Sequence, residues 1–324
     1  IDKLMPAVII GPTVAIIGLS LAGNAVSDAI SIAKNDGGVF QMNLHGWLCL
    51  ICALVTLAVV TVCSVYGKKM AKLIPFVIGI IAGYLVATVF TVIGNATGNE
   101  AMVIIDFSRF ANMQWYPDFT FIKAAKGLSE INGQYIATIA VAYVPVAFVV
   151  FAEHIADHKN LSSIIGHELL EEPGLHRTLL GDGVGSIVGA IFGGCPNTTY
   201  GESVGCVAIT GNASVYTIFT TAILAIIASF FAPFVTFLAT IPSCVMGGVC
   251  ITLYGFIAVS GLKMIQKIDL GDNHNLFVVS VILITGIGGM SIGIGPVTIT
   301  EVASALILGI LTNLLLSGKK KDEK

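Results

Sequence analysis

Charge is what this sequence lacks. Only 11% of its 324 residues are charged and 56% are hydrophobic, and the mean hydropathy is +0.93. A soluble domain carries roughly 25% charged residues. A water-soluble chain of this length could not hide so much apolar surface in one core. No basic tract is present, which argues against a nucleic-acid partner. The net charge of -3 says little, because the charges cluster between long apolar runs. A nucleophile–base pair, metal-ligand spacing and a phosphate-cradling loop are absent as well. Those absences argue against an enzyme, a cofactor and a metal. The 7 cysteines lie in or beside apolar segments. Cys49 and Cys52 form a C-x-x-C in an uncharged stretch with no second pair, which reads as apolar packing rather than redox chemistry or a disulfide. The chain opens on Ile1 without a charged leader and cleavage site. Met5 to Gly23 is already an apolar span, so upstream sequence is expected.

What is abundant is membrane-spanning sequence. A spanning helix needs about 20 mostly apolar residues. Candidate spans are 5–24, 47–66, 73–94, 135–152, 213–236, 244–261, 275–291 and 301–317. Residues 178–194 are Gly-rich and contain Asp182. Residues 195–211 are too polar and too punctuated by glycine for an ordinary span. Lysines follow three spans: Lys68, Lys69 and Lys72; Lys263 and Lys267; Lys319, Lys320, Lys321 and Lys324. Positive loops lie on the cytoplasmic side. The three clusters share one side only if 195–211 also crosses, which puts the C-terminus in the cytoplasm. The loop 95–134, with Trp115, Tyr116 and Phe119, then lies outside. Residues 159–177 read as an amphipathic helix and turn on the cytoplasmic face.

A crossing that is not a continuous helix is tolerated only where it is buried in protein or lines a cavity. In transporters such breaks form the binding site near the midplane. Asn197, Thr198, Thr199 and Tyr200 favour an extended stretch, Gly201 ends it, and a short helix is expected from about Ser203. Pro6 and Gly11 open the first span, and Pro242 and Gly247 open a late one, with the same spacing. Those spans lie seven apart by this count and start on opposite sides, the pattern of an inverted repeat.

Ionisable groups within a membrane are costly and usually functional. Glu153 ends an uncharged run and is followed by His154, Asp157 and His158; Glu202 sits in the polar break. A carboxyl in a low-dielectric cavity is poised to take up and release a proton. Ionised, it accepts N–H hydrogen bonds from a ligand. Glu153 also reads as a marker of the interface. His154 and His158 read as facing water or polar loop. Asp157 shares the face of Glu153, as a proton partner or a helix-end charge. Asp182 and Glu301 read as interface or structural residues.

The run Gly194-Cys195-Pro196-Asn197-Thr198-Thr199-Tyr200-Gly201-Glu202, with Gly205 beyond it, resembles the signature of the nucleobase–ascorbate transporter (nucleobase:cation symporter-2) family, in particular its bacterial uracil permeases. Ala152-Glu153-His154, Pro173-Gly174-Leu175-His176-Arg177 and the stretch from Pro242 to Val249 resemble other stretches of that family, and the likeness runs over essentially the whole chain. The resemblance implies an all-α polytopic fold of fourteen segments in two inverted repeats, here lacking the first four, with a short β-strand in the broken segment. It implies a gate domain formed by 1–134 and 237–324 and a core substrate domain at 135–236. It implies a multi-pass protein of the cytoplasmic membrane, in contact with lipid and paired as a homodimer. Glu153 and Glu202 match the two carboxylates that hold uracil, and Gly201, beside Tyr200, matches a backbone N–H donor to a ring oxygen. Tyr254 matches a gate-side tyrosine. The coupling ion is expected to be a proton, handled by Glu153 with Asp157 or His158. The family's usual histidine four residues after the first Glu is Asp157 here, which leaves the proton route open. The function expected is uracil:proton symport. The alternatives are a carrier for xanthine or another nucleobase, an anion carrier of related fold, and an inactive fragment.

Overall fold

The structure is a computed structural model that describes residues 6–35, 38–68, 70–115, 120–127, 131–195, 197–200, 203–204, 207, 211–294 and 297–319. The contacts divide the chain into two compact units. One comprises Ile1–Ser20, Asp118–Ala208 and Phe256–Lys324; the other comprises Leu21–Pro117 and Ile209–Gly255.

The long apolar runs become helices. Among the described residues, Ala7–Ile30, Leu44–Tyr66, Pro75–Thr97 and Ser243–Ile265 are each long and apolar enough to cross a membrane. Their outward residues, such as Val62, Val65, Leu85, Val89 and Val92, are large, apolar and exposed. A soluble protein does not present such a surface; a multi-pass membrane protein does.

In the second unit, helices α1 (Leu44–Tyr66) and α2 (Pro75–Thr97) form the central pair. Asn43 caps α1 by accepting from the Gly46 N–H at 2.8 Å. Pro75 opens α2, and Gly98, at φ 71°, ends it. The two helices close tightly because of glycine: a Cβ at Gly83 would collide with the Thr56 side chain. Cys49, Cys52, Ala87, Ile105, Cys244 and Val245 make one buried cluster, so these cysteines pack as small apolar residues. Cys49 also has a polar neighbour, His45, one turn earlier, with Nε2 3.5 Å from its Sγ.

The expected span 213–236 is not one helix. It is α3 (Val215–Ser229) and α4 (Ala232–Ala239), bent by 86° at the break. Pro233 explains the break: it lacks an N–H, and its ring clashes with the carbonyl four residues back, that of Ser229.

In the first unit, α5 (Ala7–Ser20), α6 (Asn273–Ile287) and α7 (Glu301–Lys319) pack together. Their core includes Ile9, Ile16, Val278, Ile282 and Leu306, with Ile265 beside them. The hydrogen-bonded strands lie here, β1 (Ile292–Ile294) and β2 (Val297–Ile299), an antiparallel pair with Ile292 opposite Ile299. Among the described residues of the broken segment, Asn197–Tyr200 is non-helical and has no ladder partner.

Helix α8 (Gly133–Ile165) runs for 33 residues, from its Asn132 cap to Gly166 at φ 71°. The amphipathic helix and turn expected over 159–177 resolve into parts of two longer helices with the turn between them. The first residues are the end of α8, and a wide turn at Leu170–Gly174 leads into α9 (Leu175–Ile191).

Candidate functional site

The polar side chains of the first unit gather on α8, α9 and the stretch 197–200. Helical geometry sets this up. His154 and His158 lie four residues apart on α8, and Thr178, Asp182 and Ser186 follow at four-residue steps on α9, so each set shares a face.

His154 is at the centre, with 1% of its surface exposed. Its Nδ1 lies 3.2 Å from Asp182 Oδ2, and its Nε2 lies 2.9 Å from Thr178 Oγ1. The Thr178 hydroxyl donates to the Leu175 carbonyl at 3.1 Å. The His158 ring stacks on that of His154, with centroids 4.0 Å apart, and its Nδ1–H donates to the His154 carbonyl at 2.8 Å. Ser162 donates to the His158 carbonyl at 2.7 Å and accepts from the Leu169 N–H at 2.9 Å, tying the end of α8 to the turn that follows.

The same face of α9 holds the stretch 197–200. Thr198 donates to Asp182 Oδ2 at 3.3 Å, and Ser186 donates to the Asn197 carbonyl at 2.6 Å. Asp182 therefore serves two elements through one oxygen. Asp157 and Thr199 are neighbours. Asp157 Oδ2 and Thr199 Oγ1 are nevertheless buried without a hydrogen-bond partner among the described residues. Unmet buried polar atoms are rare in folded proteins and mark places where a ligand, ion or water belongs.

Glu153, Asp157 and His158 lie together on α8, each half-buried. Tyr200 has 61% of its surface exposed. Gly201 and Glu202 lie outside the described residues. Tyr254 belongs to the other unit, on the helix Ser243–Ile265, one turn beyond Cys250 and near Asp28. The expectation that His154 faces water is corrected: the ring is buried because Asp182 and Thr178 satisfy both its nitrogens. Asp182, read as an interface or structural residue, is 3.2 Å from that ring, with 18% of its side chain exposed. The signal for both was the shared four-residue spacing of the polar residues on two facing helices. Among the described residues no cluster of histidine, cysteine and carboxylate side chains is arranged to hold a metal.

The model of a family described as "Permease family" matches residues 1–294. The chain belongs to this family. It is thus a permease rather than an enzyme, and it lies within the nucleobase:cation symporter-2 group that its motifs resemble. Among curated relatives, the uracil permease of Bacillus caldolyticus is 39% identical over 322 residues, covering 98% of this chain and 69% of the relative. The uracil permease of Bacillus subtilis is 37% identical, covering 99% and 70%. That of Escherichia coli K12 is 33% identical, covering 97% and 68%.

Proposed function

We propose that this permease carries uracil across the cytoplasmic membrane together with protons. One observation carries the reading: a broken, polar segment bearing N-T-T-Y-G-E is hydrogen-bonded to α9 through Thr198 and Asn197, and Asp157 of α8 neighbours its Thr199. Relatives named uracil permeases match the chain over nearly its whole length.

Uracil presents two N–H donors and two carbonyl acceptors. In this reading the carboxylates of Glu153 and Glu202 accept its N–H groups, and the Gly201 N–H donates to a ring oxygen, with Tyr200 beside it. Charge-assisted hydrogen bonds of this kind are the strong ones. Asp157 and His158, one turn along α8 from Glu153, complete an ionisable cluster that takes up the coupled proton. Residues 135–236 act as the core, moving against a gate formed by 1–134 and 237–324 that carries Tyr254. The working unit is a homodimer in lipid, with its C-terminus in the cytoplasm.

The test is radiolabelled uracil uptake by cells producing the full-length protein, wild type against Glu202→Gln. Uptake that rises with an inward proton gradient and collapses in the variant supports the reading. Uptake untouched by an uncoupler removes the proton coupling. Stronger competition by xanthine than by unlabelled uracil removes the substrate assignment.

A further inference from the structure

We infer that His154 and Asp182 form the proton-binding site of this permease, the pair holding one shared proton that travels with the substrate. The inference rests on the symport reading above and seats its proton on His154 and Asp182 in place of Asp157 and His158.

The argument is a count of hydrogens. A threonine hydroxyl has one proton to donate, and we assign that of Thr178 to the Leu175 carbonyl, 3.1 Å away, which can only accept. Towards His154 Nε2, 2.9 Å away, Thr178 is therefore the acceptor, and Nε2 carries a hydrogen. The other ring nitrogen faces Asp182 Oδ2 at 3.2 Å. A hydrogen bond there needs one further proton, on Nδ1 or on the carboxyl. With it the pair is neutral. Without it two lone pairs face each other around a ring that is 1% exposed. With that assignment the site has one titratable vacancy.

The surroundings limit that site to one proton. The groups facing His154 are Asp182 from α9, and His158 and Asp157 from its own helix. The His158 ring lies 4.0 Å away in a stack, so a second positive ring is opposed by like charge. Asp182 Oδ2 also accepts from Thr198, two residues before Tyr200 and four before Glu202. Loss of the proton turns the His154–Asp182 contact repulsive, and the carboxylate that shifts in response is the one holding the stretch 197–200. Proton occupancy and the shape of the base-binding segment are thereby linked.

The test uses full-length protein in proteoliposomes with an internal pH dye. Asp182→Asn can present an amide N–H to Nδ1, keeping the hydrogen-bond chain without the titratable proton. We expect uracil-linked proton entry, counted per uracil moved, to fall at least about tenfold, since one charge-assisted bond is at stake. Thr178→Val guards against a folding artefact. Without the acceptor, Nε2 need not carry a hydrogen, so the proton is held less tightly. The alkaline limb of the uptake profile should then move about one pH unit toward acid, and Thr178→Ser should restore it. Wild-type uptake that carries no protons overturns both this inference and the proton part of the reading above. Wild-type coupling with unchanged coupling in Asp182→Asn, or an unmoved profile in Thr178→Val, overturns this inference alone.

Discussion

The pair α1–α2 and the pair α8–α9 bury polar groups to different ends. In the first, the buried threonines turn inward on their own helices: Thr56 donates to the Cys52 carbonyl at 2.9 Å, and Thr91 to the Ala87 carbonyl at 2.8 Å. Thr91 Oγ1 also accepts from the N–H groups of Ile104 and Ile105, both at 3.0 Å, fastening the chain that follows α2. Every one of these groups is satisfied within the scaffold. In α8–α9 the buried groups reach across to a second helix and a non-helical segment, and Asp157 Oδ2 and Thr199 Oγ1 are without a hydrogen-bond partner among the described residues. The first pair uses its threonines to hold one scaffold together; the second uses its polar groups to join separate elements.

The comparison can be broken by substitution. The largest effect is expected for Glu153→Gln in α8, where losing one hydrogen bond to a charged group costs about 1.5–3 kcal/mol, or roughly ten- to hundredfold in uracil affinity by equilibrium binding, with thermal stability unchanged. Next is Gly83→Val in α2, where the side chain must overpack against Thr56. A loss of about 1–3 kcal/mol is expected, read as a lower Tm in detergent. Thr91→Val strands the two N–H groups at Ile104 and Ile105, at about 1–3 kcal/mol for buried donors; the same melting assay reads it, and substrate affinity should not move. The smallest effect is at the exposed Asp106, whose carboxyl is held below the usual range by hydrogen bonds from the Ser108 hydroxyl and N–H. A lowered folded-state value stabilises above the ordinary carboxylate range, and that contribution is lost as pH falls through the folded value. Asp106→Asn should therefore melt slightly below wild type at neutral pH and converge with it in acid. A shift in the opposite sense would count against the Ser108 assignment.

The apolar runs declared most helices, because span length and hydropathy need no tertiary information. The polar break at 195–211 was legible for the same reason. The bend in 213–236 was missed although Pro233 stood in the sequence; the apolar run masked it. The hairpin at 292–299 was missed too. Its signal was the alternation of Ile292, Ile294, Val297 and Ile299 around a Gly-Pro pair, hidden by treating the stretch as a gap between spans. His154 could not be placed from its neighbours alone. Which way a helix face points depends on the helix packed against it, and Thr178 and Asp182 lie more than twenty residues later. The sequence motif drew attention to Glu153, while the hydrogen-bond geometry draws it to the residue beside it.

Helix α8 has 33 residues, about 50 Å at 1.5 Å per residue, against a hydrocarbon core of about 30 Å. Roughly 20 Å of it must therefore stand clear of the hydrocarbon or lie steeply inclined. Such a rod works as a pointer: a small rotation near His154 becomes a larger displacement at its far end, where Ile164 is exposed. A spectroscopic label at that position, ten residues from His154, is expected to report any swing of α8.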